Sequence, residues 1–236
     1  MSTKWAEDMN DIEVVFTDSF GTGWSNSTRD VVFDVSLDAG ILHRAEWVKF
    51  LAVFFNKERE AADIFSRIEA DYTALEQEAV NLKDGESRPK IVAWAQWQGC
   101  KDVACHGIQG WTKTAAGNMC RCGSFYIFSN AHFKRDVVKS AGGRLLSMPS
   151  AVPVGCRFIT ISDGSQSYEC DATELQHFQL LLSQADVIFD ETHSPNHQLY
   201  TLDDFYRNFE LRSLATPLKA MTNEAVFRTD RHISDP

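Results

Sequence analysis

The chain has 236 residues, 44% hydrophobic and 24% charged, which is enough apolar material for a sizeable core in one large or two small domains. Its formal net charge of −10 leaves no basic face of the kind a nucleic-acid partner requires. No stretch reaches the roughly eighteen consecutive apolar residues of a membrane-spanning helix.

Met1 to Asp11 are polar and acidic, without the basic and apolar regions of a secretory signal. Six cysteines, an even number, suit an oxidising compartment. The expected location is therefore extracytoplasmic or secreted, with the signal peptide outside this chain. Glu13 to Asp18 reads as a short buried strand, and a polar loop with two glycines follows to Asp30. Val31 to Val35 reads as a second strand.

An apolar stripe then runs through Trp47, Phe50, Leu51, Phe54, Phe55, Ala61, Phe65, Ile68, Tyr72, Leu75, Ala79 and Leu82. Its steps of three and four residues predict one helix face. No proline or glycine interrupts the stretch between Ile41 and Asp84, so a single helix over 42–82 is expected. A rod of that length would span roughly 60 Å, too long for one small domain, and it reads as a brace between two. The other reading is a coiled-coil segment, but aromatics crowd the first half, where a seam would carry Leu, Ile and Val.

Lys83 to Lys90 is charged, holds Gly and Pro, and marks a boundary. Ile91 to Ala95 reads as a strand, and Gln96 to Gly123 as an irregular region with four cysteines. Ala131 to Ala141 predicts a helix closed by Gly142-Gly143. Arg157 to Ser162 and Ser167 to Cys170 flank Asp163-Gly164 as a hairpin. Thr173 to Ser183 predicts a helix capped by Asp171. Ala185 to Phe189 is too apolar to alternate, as in a sheet covered on both faces. A helix from Leu202 to Phe209 and a short strand from Ala225 to Arg228 complete an α/β pattern.

This order resembles the class of ABC-transporter substrate-binding proteins that carry iron-siderophores, haem, cobalamin or metal ions. Arg44 to Phe50 looks like the start of the backbone helix in a eukaryotic-microbe branch of that family. Asp136 to Gly143 is similar to its helix ending in Ala-Gly-Gly. Glu174 to Phe189 is similar to its helix followed by Pro-Asp-Val-Ile-Ile, with Ala185 where proline is usual. The resemblance covers residues 13 to 230. It implies two α/β lobes joined by one long backbone helix, with the ligand in the cleft between them and a parallel-type sheet in the second lobe. Residues 1–41 would be the remnant of an incomplete first lobe, 42–84 the interlobe helix and 85–236 the second lobe. The family carries most of a first lobe before its helix, whereas here only residues 1–41 precede it. Nor is the cysteine-rich segment from Cys100 to Cys122 a family hallmark.

Ligands of open α/β sheets sit beyond the carboxyl ends of the strands. After the strand at 91–95 that rule singles out Trp94, Gln96, Trp97 and, further on, Trp111, aromatics that suit a large hydrophobic chelate. They read equally well as core residues. After the strand ending at Phe189 it singles out Asp190, Glu191, Thr192 and His193, with His197 beyond. Carboxylates beside imidazoles could ligate a metal ion, or form a solvated loop. In the first lobe Trp24 is the natural ligand contact.

Cys156 and Cys170 flank the hairpin almost symmetrically, which makes a cross-strand disulfide geometrically plausible. Cys105 would pair with Cys120 or Cys122. A zinc site from Cys100, Cys105, Cys120 and Cys122 lacks the usual paired hooks. No G-x-S-x-G elbow, HExxH or EF-hand loop occurs.

The expected function is non-enzymatic capture of an iron-siderophore or related metal complex for uptake. Such a monomer would have no resident cofactor, a ferric chelate as cargo and a membrane transporter component as partner. The alternatives are a zinc- or thiol-dependent enzyme using the 100–122 region, and a scaffold that has lost ligand binding.

Overall fold

A computed structural model describes residues 13–17, 29–38, 40–83, 88–99, 110–113, 119–160, 164–192 and 200–229. The chain divides into two compact units, Met1–Glu69 and Ala70–Pro236.

In the first unit β1 (Val15–Thr17) pairs in parallel with β2 (Asp30–Val32). Helix α1 (Ile41–Val53) follows. The aromatic residues that crowd this part of the sequence pack edge to face. Phe33 meets Trp47 at 5.4 Å, Trp47 meets Phe50 at 5.4 Å, and Phe54 reaches Phe16 at 5.1 Å. The Trp47 indole N–H donates to Asp38 Oδ2 at 3.2 Å, satisfying the one polar atom of that ring.

The single helix expected over 42–82 is two helices, α1 and α2 (Glu58–Lys83). The break lies at Phe54 to Lys57, where Asn56 adopts φ 51°. Lys57 N–H donates to Ala52 O at 3.0 Å, the bond that closes a helix around a left-handed residue. Asparagine tolerates that conformation better than other non-glycine residues. Glu58 and Glu60 then open α2, where the helix N-terminus favours acidic side chains. The apolar stripe jumps seven residues from Phe54 to Ala61 across the break, close to two helical turns, which keeps it in phase and hides the break. Helix α2 still runs 26 residues, about 39 Å. Ala61 and Phe65 are buried, whereas Leu75 and Leu82 are 64% and 71% exposed.

The second unit holds a sheet ordered β11-β10-β3-β6-β9-β8, with β7 also beside β3. Its strands are β3 (Ile91–Gly99), β6 (Ser124–Phe128), β7 (Arg144–Leu145), β8 (Cys156–Thr160), β9 (Gln166–Asp171), β10 (Val187–Asp190) and β11 (Val226–Arg228). Pairings of β3 with β10 and β7, and of β10 with β11, are parallel. Pairings β3–β6, β6–β9 and β9–β8 are antiparallel. The α/β class stands, with the parallel strands gathered around β3 and β10. The region read as irregular also contains β4 (Gly110–Lys113) and β5 (Met119–Cys122), an antiparallel pair.

Alternation along β3 splits the core in two. Ala93 and Ala95 join Phe128, Tyr168, Phe178, Phe205 and Phe209 on one face. There Phe178 of α4 (Leu175–Leu182) stacks on Phe128 at 3.8 Å, and α5 (Leu202–Asn208) supplies Phe205. Val92 and Trp94 face the other way, against Val138 of α3 (His132–Ser140), Leu145, Val187 and Phe189. A sheet covered on both faces explains why Val187 to Phe189 is apolar without alternation.

Several local expectations are met. Gly142 takes φ 75° and Gly143 N–H donates to Val138 O at 2.8 Å, closing α3. Gly164 takes φ 77° in the turn between β8 and β9. Thr173 N–H donates to Asp171 Oδ1 at 2.9 Å, capping the short helical turn ahead of α4.

Candidate functional site

The parallel register sets Phe189 beside Trp94 and Asp190 beside Ala95. The carboxyl ends of β10 and β11 therefore lie together beside Ala95, midway along β3, which runs on to Gly99 and is the strand expected to end at Ala95. Alternation on β10 sends successive side chains to opposite faces there.

On the α3 face, the Trp94 ring stacks on Phe189 at 4.5 Å. Trp94 is 9% exposed, a wall of the edge more than an open platform. Lys134, on the first turn of α3, is 5% exposed, and its ammonium lies 5.1 Å from the Trp94 ring centroid. It donates to Ser129 Oγ at 2.6 Å and forms an ion pair with Glu191 Oε2. Glu191 N–H is in turn bound to Ala95 O at 2.8 Å. Lys134 lies in the charged run His132 to Asp136. In the sequence that run shows only helix pattern, and its burial is tertiary.

On the opposite face, Asp190 is 1% exposed and accepts Thr192 N–H on Oδ1 at 2.9 Å. Burial pushes its carboxyl up from the ordinary range, while the Thr192 and Tyr200 donors and the Arg228 charge pull it the other way. Burial and the nearby Asp190 carboxylate push the Tyr200 phenol well up. The Arg228 guanidinium sits 4.8 Å from the Tyr200 ring centroid and donates to Tyr200 O. The Thr192 hydroxyl accepts Trp97 N–H at 3.0 Å.

Of the residues singled out from sequence, Trp94 and Glu191 are brought together, joined through Lys134. Trp97 extends the Ala93, Ala95 side of β3 and packs against the larger core. It therefore faces away from Trp94. Trp111 lies on β4 opposite Arg121, and Cys120 on β5 opposite Thr112, with only their backbone positions described. Trp24, His193 and Cys105 lie outside the described residues.

Cys156 and Cys170 form the expected cross-strand disulfide, directly opposite each other with Cα atoms 4.0 Å apart. Cys122 is disulfide-bonded too, which takes it out of the zinc-thiolate and free-thiol readings of the 100–122 region. Among the described residues no group of three or more His, Cys, Asp or Glu side chains is placed to hold a metal ion. No described helix is long and apolar enough to cross a membrane.

No protein-family model matches this sequence, and no curated protein matches it. Among solved structures it is similar to the periplasmic heme-binding protein BhuT in complex with two hemes. That likeness has 12% identity and a TM-score of 0.50, over 98% of this chain and 71% of that chain. An ABC transporter substrate-binding protein from Listeria monocytogenes EGD-e aligns at 14% identity and TM-score 0.47, over 86% of this chain and 59% of that one. S. aureus IsdE complexed with heme aligns at 13% identity and TM-score 0.47, over 88% and 61% respectively. This chain thus spans about three-fifths of the length of the last two. At such identities the likeness to BhuT shows a shared fold and nothing finer.

Proposed function

We propose that this protein is a non-enzymatic ligand-binding protein of the periplasmic type, which captures an iron-siderophore or related metal chelate outside the cytoplasm for a membrane transporter. The observation that carries the reading is the edge made by β3 and β10. On a fold shared with a periplasmic heme-binding protein, it gathers Phe189 and Glu191 at the carboxyl end of β10 against Trp94, midway along its parallel neighbour β3. Strand ends are where open α/β sheets place ligands, because backbone groups and loops converge there without helices in the way. Aromatic walls suit the broad apolar flanks of a chelate, and the adjoining charges suit its polar rim.

The same proposal keeps Trp111 and Trp24 as further aromatic contacts, Trp97 as one on the opposite face of β3, and His193 as the polar residue two positions past Glu191. It also keeps the division into a short first lobe over 1–41, the helical stretch 42–84 and the second lobe 85–236. A preformed edge with buried side chains binds with little reorganisation.

Equilibrium titration tests the reading. Purified protein is mixed with a neutral ferric trihydroxamate, haemin and cobalamin while tryptophan fluorescence is followed. Saturable quenching by at least one of them, reduced in a Trp94→Leu variant that keeps the wild-type circular dichroism spectrum, supports it. Absence of saturable quenching with all three contradicts it.

A further inference from the structure

We infer that the C-terminal half of α2 is a docking seam for a basic amphipathic helix of a partner protein, which lies along Leu75 and Leu82. The inference is separate from the cargo-binding reading and does not depend on it.

Along α2 the apolar residues Ala61, Phe65, Ile68, Tyr72, Leu75, Ala79 and Leu82 are spaced alternately by four and three. That is a heptad repeat, the pattern of a helix that packs lengthwise on another helix. Its first two members are buried, whereas Leu75 and Leu82 are 64% and 71% exposed. On one flank the seam is already covered. Tyr72 is half-buried and its hydroxyl donates to Ser140 Oγ of α3 at 2.8 Å, and Ala79 is half-buried as well. The two leucines stand on the open flank. Being seven residues apart, they lie within about 20° of each other around the helix, one above the other. Beside them a cavity of about 190 Å³ separates Ala79 and Leu82 from Pro89, Ala141, Gly142 and Gly143, with room for a large apolar side chain.

Charge selects the occupant. Asp71 and Glu78 each precede one of the leucines by four residues, one turn earlier on the same face, and neither carboxylate has a partner among the described residues. The cations that also line the cavity are engaged: Arg88 is held by Asp186, and Lys90 has an interaction of its own. A leucine seam edged with unpaired carboxylates fits a helix whose own apolar stripe is edged with Lys or Arg. A second copy of this chain would set the same Asp71 and Glu78, and a second net charge of −10, against the first, so self-pairing is opposed.

The probe is a synthetic three-heptad helical peptide with leucine along its stripe and lysine at both flanking positions, compared with the same peptide carrying glutamate there. Binding of each to the full chain is followed by fluorescence anisotropy. The lysine peptide should bind about tenfold or more tightly than the glutamate peptide at low salt, and the difference should shrink as salt rises. Leu75→Gln with Leu82→Gln should weaken the lysine peptide by about tenfold or more while the circular dichroism spectrum stays unchanged. Asp71→Lys with Glu78→Lys should transfer the preference to the glutamate peptide, and this result decides the matter even where the leucine variant alters the fold. Absence of binding by the lysine peptide, or equal binding of the two peptides, overturns the inference. Lysine-peptide binding that the charge reversal leaves unchanged, or that a folded leucine variant leaves unchanged, overturns it too, since diffuse attraction to an acidic protein behaves in that way. Sedimentation velocity without peptide tests the other occupant. A dimer that Leu75→Gln with Leu82→Gln dissolves would give the seam to a second copy and overturn the inference, whereas a wild-type monomer agrees with it.

Discussion

Asp186 and Arg88 face each other through two hydrogen bonds of 2.8 Å, each guanidinium N–H donating to its own carboxylate oxygen. Asp186 is 3% exposed at the side chain, accepts Ile91 N–H at 2.8 Å, and pairs with Lys219 as well. It thus ties the entry to β10 to the start of β3 and to α6 (Lys219–Thr222), at the end of the sheet opposite the candidate site. Burial alone would raise its carboxyl. The Arg88 hydrogen bonds, the Ile91 N–H and Lys219 outweigh that, and hold it well below the usual carboxylate range.

Because the folded state depresses this carboxyl, its stabilisation is present above the unfolded value near pH 4 and fades as pH falls through the lower folded value. Asp186→Asn should cost about 2 kcal/mol at pH 7, less than for a fully buried pair because Arg88 and Lys219 are half exposed to screening solvent. Urea midpoints measured from pH 7 to pH 3 should show the gap between wild type and variant closing below about pH 4. A gap that stays constant with pH contradicts the assignment.

Asp190 has the opposite sign. Its carboxyl is raised by burial, so the folded state holds the proton more tightly, and stability declines as pH rises from about 4 through the folded value. Asp190→Asn should flatten that decline and leave the protein as stable as wild type at pH 7, or about 1 kcal/mol more stable. Denaturation across pH 4 to 8 checks this. A loss of stability at pH 7, together with a wild-type stability that rises rather than declines from pH 4 upward, would mean that Arg228 and the neighbouring donors outweigh burial.

Asn56 offers a test whose sign depends on the chain path. At φ 51° an alanine is strained, so Asn56→Ala should destabilise by about 1 kcal/mol, while Asn56→Gly should change stability by only a few tenths. In an unbroken helix alanine would be the better residue and would stabilise. Thermal or urea denaturation of both variants separates the two paths.

The Cys156–Cys170 bond closes a sequence separation of 14 residues. Replacing both cysteines by serine should cost about 3 kcal/mol, mainly by freeing the unfolded chain. The urea midpoint should fall while the far-ultraviolet circular dichroism of the folded protein stays unchanged. An unchanged midpoint would show that the hairpin holds without the bond.

How much of this was legible beforehand depends on how local each feature is. Gly142 at the end of α3, Gly164 in the hairpin and Asp171 at its cap are set by neighbours in sequence, and all three appear as expected. Cys156 and Cys170 follow from the hairpin register. The break at Asn56 was hidden because it keeps the apolar residues in phase, so periodicity alone runs straight through it. Strand β3 continues four residues past Ala95 because β6 pairs with it there, a contact between distant segments. Glu191 stood out because the end of β10 can be read from pattern, whereas Trp94 was placed at the end of a strand that runs on to Gly99. Lys134, which joins them, did not stand out, since a lysine in a charged helical run normally faces water. Its burial depends on Trp94, Ser129 and Glu191 arriving from three other parts of the chain.

Hydrogen–deuterium exchange with and without a saturating chelate tests the central claim most directly, because it locates binding on the chain. The account expects slowed exchange in the peptides covering 94–99, 129–134 and 190–192, with α2 and the β8–β9 hairpin unchanged. Protection confined to any other part of the chain, with those three segments unaltered, would contradict it.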